Sequence, residues 1–125
     1  MNKVLIVEDD KTLREMYVEI LKSGDFTIDT AIDGTEALHK IKSFRPDAIL
    51  LDLFIPKING MDLLKSIKTN PATKNIKVIV STNVHVNQEE LLQNGAEYVL
   101  LKAEYNPEQL TQKIQEILGT TNPQN

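Results

Sequence analysis

The 125-residue sequence has no cysteine and no tryptophan, and only 5% of it is aromatic. Without cysteine there is no disulfide framework, no thiol nucleophile and no thiolate zinc site. The scarcity of aromatics leaves little from which to build a base-stacking surface. No apolar run approaches the roughly 20 residues that cross a bilayer, so no membrane association is expected. The run Val4–Val7 behind Lys3 stops at Glu8, too short for the apolar core of a signal peptide, and a cytoplasmic location is expected. A basic excess is also missing. Fourteen basic residues face 18 acidic ones, for a net charge of -4. Nucleic acid binding by phosphate neutralisation needs a basic stripe, so none is expected of this domain. Neither GxGxxG nor GxxxxGK[ST] occurs, which excludes the common nucleotide-binding loops.

What is present is a regular alternation of short apolar runs and amphipathic stretches. Hydrophobic residues make up 41% of the chain, enough for one core, and the length fits one compact domain. The stretch PDAILLDLFIPKING, residues 46–60, organises the rest. Ala48–Leu51 is wholly apolar and too short for a helix, as expected of a strand buried on both faces of a parallel sheet. It ends on Asp52, and Pro56 and Gly60 break the chain before a new helical pattern.

Strands are likewise expected at Lys3–Val7, Phe26–Ala31, Lys77–Ser81 and Tyr98–Leu101, the second of them less deeply buried than the first. Between them lie five helices. Asp10 caps the first, whose apolar stripe is Leu13, Met16, Tyr17, Ile20 and Leu21, with Gly24 at its end. Asp33 or Thr35 caps the second, which runs through Phe44 with Ala37, Leu38 and Ile41 inward. The third spans about Gly60 to Thr69, with Leu63, Leu64 and Ile67 inward, and stops at Asn70-Pro71. The fourth is Asn87–Asn94, with Leu91 and Leu92, closed by Gly95. Pro107 opens the fifth, with Leu110, Ile114, Ile117 and Leu118 as its stripe. Residues 1–119 are expected to form the domain and 120–125 a flexible tail or the start of a linker. Short strand–helix–strand spacing implies right-handed parallel crossovers. The expected fold is α/β, a flavodoxin-like doubly wound five-stranded parallel sheet in order 2-1-3-4-5 with helices on both faces.

In such a sheet all strand ends lie on one edge. Glu8-Asp9 follow the first strand, Asp52 ends the third, Ser81-Thr82 the fourth and Lys102 the fifth. Three crowded carboxylates repel, and a hard divalent cation with oxygen ligands relieves that repulsion. A lysine and a hydroxyl nearby suit a phosphoryl group. Nucleophile, metal and cation are the parts that phosphoryl transfer requires.

At these residues the chain resembles a response-regulator receiver domain, the phospho-accepting half of two-component signalling, of the chemotaxis-regulator-like kind. The resemblance runs from about Lys3 to Leu118. It rests on VEDD after the first strand, LLDLFIPKING around the acceptor, VIVST, and GAEYVLLK. Thr82 follows Asp52 by 30 residues and Lys102 follows Gly95 by 7, as in the family. The resemblance implies that Asp52 is the nucleophile and becomes an aspartyl phosphate. It implies Mg²⁺ held by Asp9, Asp52 and the backbone carbonyl of Phe54, with Glu8 acting through a metal-bound water. It also implies that Thr82 hydrogen-bonds the phosphoryl group and that Lys102 pairs with it. The donor would be a phosphohistidine on a histidine kinase or histidine phosphotransfer protein. Such domains hydrolyse their own acyl phosphate and act as signalling switches rather than enzymes. Output would pass to a downstream protein through the face of the fourth helix, fifth strand and fifth helix, in either a single-domain regulator or the receiver of a longer protein.

Three positions depart from the family pattern. Ala103 replaces the proline that usually follows the lysine, where a cis peptide is cheap only before proline. Val99 replaces the usual aromatic, and its neighbour Tyr98 points to the opposite face. Asn83 replaces a small residue, with slowed autodephosphorylation expected. His85 lies in the same loop and His39 in the second helix, neither with a metal-site partner. Two other functions compete. One is a pseudo-receiver, an interaction module independent of phosphorylation. The other is an aspartate-nucleophile phosphatase of the haloacid-dehalogenase type, which wants a second aspartate where Phe54 stands.

Overall fold

The protein's architecture is taken from a computed structural model that describes residues 2–82, 87–102 and 106–119. Five strands, β1 (Asn2–Val7), β2 (Phe26–Ala31), β3 (Ala48–Asp52), β4 (Lys77–Thr82) and β5 (Tyr98–Leu101), alternate with five helices. These are α1 (Lys11–Leu21), α2 (Gly34–Ser43), α3 (Gly60–Thr69), α4 (Gln88–Gln93) and α5 (Pro107–Leu118). The strands pair in parallel in the order β2-β1-β3-β4-β5, so the expected doubly wound topology is the one observed. A parallel sheet covered on both faces needs apolar residues at every position of its central strands. All five residues of β3 are buried.

The sheet divides the apolar interior in two. On one side Leu5, Val7, Ile49, Leu51, Val78 and Val80 pack with Ala37 and Ile41 of α2, Leu63, Leu64 and Ile67 of α3 and Leu91 of α4. On the other, Val4, Ile6, Leu50, Ile79 and Leu100 pack with Tyr17 and Leu21 of α1 and Leu110 and Ile114 of α5. Consecutive strand residues serve opposite layers, as the two-residue period requires. Each buried Leu, Ile or Val contributes roughly 1.5–3 kcal/mol by leaving water.

The helix starts are set by short polar side chains, which satisfy amide groups that the first turn leaves without partners. Asp10 accepts from the Leu13 amide and Asn87 from that of Glu90. For α2 the cap is Asp33, which accepts from the Glu36 amide, and this decides between the two residues the sequence leaves open. Asn59, unforeseen in the sequence, caps α3. At the far end of α5, Gly119 takes the left-handed conformation, φ 73°.

Two lysines tie separate elements together. Lys68 of α3 donates to the carbonyls of Lys74 (3.2 Å) and Ile76 (2.6 Å) and meets Glu97 at 3.3 Å. Glu97 in turn accepts from the Val78 amide at 2.6 Å, fixing the start of β4. Lys40 of α2 donates to the carbonyl of Thr30 in β2 (2.6 Å) and pairs with Asp29 at 3.0 Å.

The structure differs from the sequence reading in small ways. β1 starts one residue earlier, at Asn2. β4 runs one residue further, so Thr82 is its last residue and is fully buried. Met16 and Leu92, placed in apolar stripes, are 42% and 49% exposed, because each stripe is wider than the sheet area its helix covers. The expectations about Asn83, His85, Ala103 and the tail 120–125 lie outside the described residues.

Candidate functional site

The carboxyl ends of β1, β3, β4 and β5 meet at one edge of the sheet. Their register brings Asp52 opposite Ser81 and Thr82 opposite Leu101, one residue before Lys102. β1 is held there by the Glu8 amide donating to Ala31 in β2 (3.0 Å). The two residues after β1 leave the sheet as a tight turn. The Asp10 amide donates back to Glu8 Oε2 (3.2 Å), and Arg14 Nη1 of α1 donates to the carbonyls of Glu8 (3.0 Å) and Asp9 (3.3 Å).

Glu8, Asp9 and Asp52 each place a carboxylate oxygen within 4.8 Å of the other two. Glu8 is 2% exposed and Asp52 5%, while Asp9 faces solvent. Lys102 closes the group from β5. Its Nζ lies 3.2 Å from Glu8 Oε1 and 3.3 Å from Asp52 Oδ2. Burial, and next the negative charge of Asp52, push the Glu8 carboxyl up to about 7, against a smaller downward pull from Lys102. The site therefore carries more negative charge than one ammonium balances. It fits a hard cation that takes oxygen ligands and completes its shell with water.

The other expected site residues border this group. Thr82 accepts the Lys102 amide on its carbonyl (2.8 Å), so the hydroxyl-bearing residue and the lysine share one main-chain bond. Phe54 donates its amide to Asp52 Oδ1 (3.2 Å), and its ring is exposed. Val99 packs into the layer of α2, α3 and α4. Tyr98 turns to the opposite face, with Lys113 of α5 4.8 Å above its ring. His39 is exposed on α2, apart from the acids.

The loop after Asp52 is rigidly specified. The Leu53 amide donates to the Ser81 carbonyl (2.9 Å) and the Leu53 carbonyl accepts from Gly60 (3.1 Å). A side chain at Gly60 would run into the Leu53 backbone, so only glycine allows this approach. Between them Lys57 adopts φ 74° at the centre of a three-residue turn closed by the Ile58 amide and the Pro56 carbonyl (2.9 Å). Asp33 meets Lys57 at 3.4 Å, and the Gly34 amide donates to the Pro56 carbonyl (3.1 Å). The start of α2 thus braces the turn that follows the acceptor strand. The sequence marks Pro56 and Gly60 as breakers but carries no pattern for this bracing, which joins positions over 20 residues apart.

The chain that builds this 2-1-3-4-5 sheet, with three acids and a lysine at its carboxyl edge, matches in sequence the response regulator receiver domain family over residues 4–115 and belongs to it. It is a receiver domain of the two-component response-regulator class. Among its relatives is the DNA-binding response regulator MtrA of Mycobacterium tuberculosis. The two are 32% identical over 114 residues, covering 90% of this chain and 48% of that protein. The chain thus spans about half the length of the curated relatives it matches. Among solved structures, it is similar to the signal receiver domain of a DNA-binding response regulator from Colwellia psychrerythraea, at TM-score 0.87 and 28% identity over 95% of this chain and 99% of that one. It is also similar to the Mn²⁺-bound form of response regulator Rcp1, at TM-score 0.81 and 28% identity over 97% and 96% of the two chains.

Proposed function

We propose that this chain is a phospho-accepting receiver in which Asp52 takes a phosphoryl group from a phosphohistidine on a histidine kinase or phosphotransfer protein. The observation that carries the reading is the group of three carboxylate oxygens within 4.8 Å of one another, with Lys102 bridging Glu8 and Asp52. Asp9, Asp52 and the carbonyl of Phe54 are the residues to hold Mg²⁺, with Glu8 acting through a bound water. That the related response regulator Rcp1 has a Mn²⁺-bound form supports a divalent cation in a domain of this kind. The ion would supply positive charge to the phosphoryl oxygens.

The chain's own groups divide the remaining work. An oxygen of Asp52 attacks phosphorus as the bond to the imidazole nitrogen breaks, and the electron pair leaves on that nitrogen. Lys102, already against Asp52, neutralises charge that develops on the phosphoryl oxygens. Thr82 donates a hydrogen bond from its hydroxyl to one of them. Water later returns the carboxylate and releases phosphate, so the domain catalyses its own reset. Residues 1–119 form the receiver and 120–125 a tail or linker, in a cytoplasmic protein. The output surface is the α4–β5–α5 face, where a groove of about 600 Å³ is lined by Gln88, Tyr98, Lys113 and neighbours.

The test is intact mass after incubation with acetyl phosphate, with and without Mg²⁺, for the native chain and Asp52→Asn. A Mg²⁺-dependent gain of one phosphoryl group, absent from the variant, is expected. If neither acetyl phosphate nor a phosphorylated histidine kinase labels the folded native chain, the reading fails and the domain is an interaction module.

A further inference from the structure

Ser81 is a polar residue in an otherwise apolar layer. By alternation along β4 it shares its face with Ile79, on the side of the sheet that α1 and α5 cover. It is 1% exposed. Its hydroxyl meets the Tyr17 hydroxyl of α1 at 3.0 Å, and Tyr17 is itself 1% exposed. An unpartnered hydroxyl there would be destabilising, and an aliphatic residue on each side would pack without that risk. Two buried polar groups kept in register across 64 positions of chain specify one arrangement of α1 against β4.

That arrangement concerns the site. Ser81 stands opposite Asp52 in the sheet, accepts the Leu53 amide on its carbonyl and is followed directly by Thr82. α1 begins two residues after Glu8 and Asp9 and holds their carbonyls through Arg14. The acids of the β1 turn are thus held from α1 as well as by β1, which pairs with β3 in the sheet, while Asp52 and Thr82 end β3 and β4. The Tyr17–Ser81 bond adds a buried side-chain link from α1 to β4, beyond the main-chain pairing of the sheet.

We propose that Tyr17 is a positioning residue for phosphoryl transfer: through Ser81 it fixes Thr82 and the Asp52–Leu53 main chain relative to the acids of the β1 turn, which α1 holds through Arg14. This rests on the receiver reading, but its structural part has its own observable. Two amides report on the anchored strand, Leu53 bonded to the Ser81 carbonyl and Lys102 bonded to the Thr82 carbonyl.

The experiment compares the native chain with Tyr17→Phe, Ser81→Ala, Ser81→Thr and the double variant Tyr17→Phe/Ser81→Ala. Site-resolved hydrogen exchange and the rate of labelling by acetyl phosphate at saturating Mg²⁺ are both followed well below the melting temperature. In Tyr17→Phe, exchange at Leu53 and Lys102 rises about tenfold, the order expected for one lost hydrogen bond, while amides of α3 do not change. The labelling rate falls by a similar factor. Ser81→Thr keeps a hydroxyl and restores both. The double variant, which removes both hydroxyls of the pair together and so keeps the fold if a single variant loses it, shows the same slow labelling. Unchanged exchange at both amides overturns the proposal, and so does faster exchange with unchanged labelling. If the native chain itself takes no label, it is the receiver reading that falls, and the exchange result alone decides whether Tyr17 anchors the strand.

Discussion

Replacing Lys102 with methionine removes the ammonium from between Glu8 and Asp52 at nearly constant volume. The lysine side chain is 16% exposed, and it lies 3.2 Å and 3.3 Å from two carboxylates that are almost wholly buried. Breaking such a pair from one side costs about 3 kcal/mol, the lower end of the range for buried pairs, because this site opens at a sheet edge. The loss must depend on pH. Glu8 titrates near 7 in the folded chain against 4.5 as a free side chain. Its protonation therefore favours the folded state fully below 4.5, and that contribution is lost as pH rises through 7. Lys102 is one of the groups holding Glu8 down, so in Lys102→Met its titration moves higher. Native stability stops declining on this account above pH 7, whereas that of the variant continues to fall by about 1.4 kcal/mol per pH unit. Urea denaturation with a chelator present should show a variant deficit of about 3 kcal/mol at pH 6 and about 4 kcal/mol at pH 8. Millimolar Mg²⁺ narrows the gap at pH 8 by supplying the missing positive charge. A deficit equal at pH 6 and pH 8 in chelator would refute the coupling of these three groups.

Gly60→Ala pushes a methyl group into the Leu53 backbone and should lower stability by about 1–3 kcal/mol, read from the urea midpoint. Asp52 adjoins Leu53, so the labelling rate falls too, and a variant as stable as the native chain would contradict the packing described. Asp33→Ala removes the cap of α2 and the partner of Lys57. The Glu36 amide it accepts, and then Lys57, hold the Asp33 carboxyl below the usual carboxylate range. Its stabilisation is present above that range and lost as pH falls through the depressed value. Thermal melts of variant and native should therefore differ at pH 7 and converge in strong acid.

Much of this structure is legible in the sequence because its two periods are clean. Short runs such as Ala48–Leu51 fit only a strand covered on both faces, and strict strand–helix alternation admits few topologies. The acids and the lysine could be placed together because a parallel sheet puts every carboxyl end on one edge. What escaped the sequence reading was carried by single long-range bonds. Tyr17 reads as one more apolar residue of a helical stripe, yet its hydroxyl finds Ser81 in another element. Nothing in the sequence singles out Lys68, yet it gathers two carbonyls and Glu97. Met16 and Leu92 satisfy helical periodicity while remaining outside the core, because periodicity gives the direction of a face and not its width.

The Lys40 clamp on β2 bears on how the molecule keeps to itself. Among the described strands, β2 and β5 form the sheet's two open margins, and β5 is only four residues long. An open margin invites the backbone of another chain to continue the sheet, the route by which folded proteins nucleate fibres. The Ala31 carbonyl turns inward to β1, so that of Thr30, its neighbour, turns outward. Lys40 occupies that outward carbonyl and is itself paired with Asp29. An incoming strand would have to strip an ammonium from two oxygens before pairing with Thr30. The same lysine that ties α2 to β2 thus makes the β2 margin a poor template for a strand of another chain.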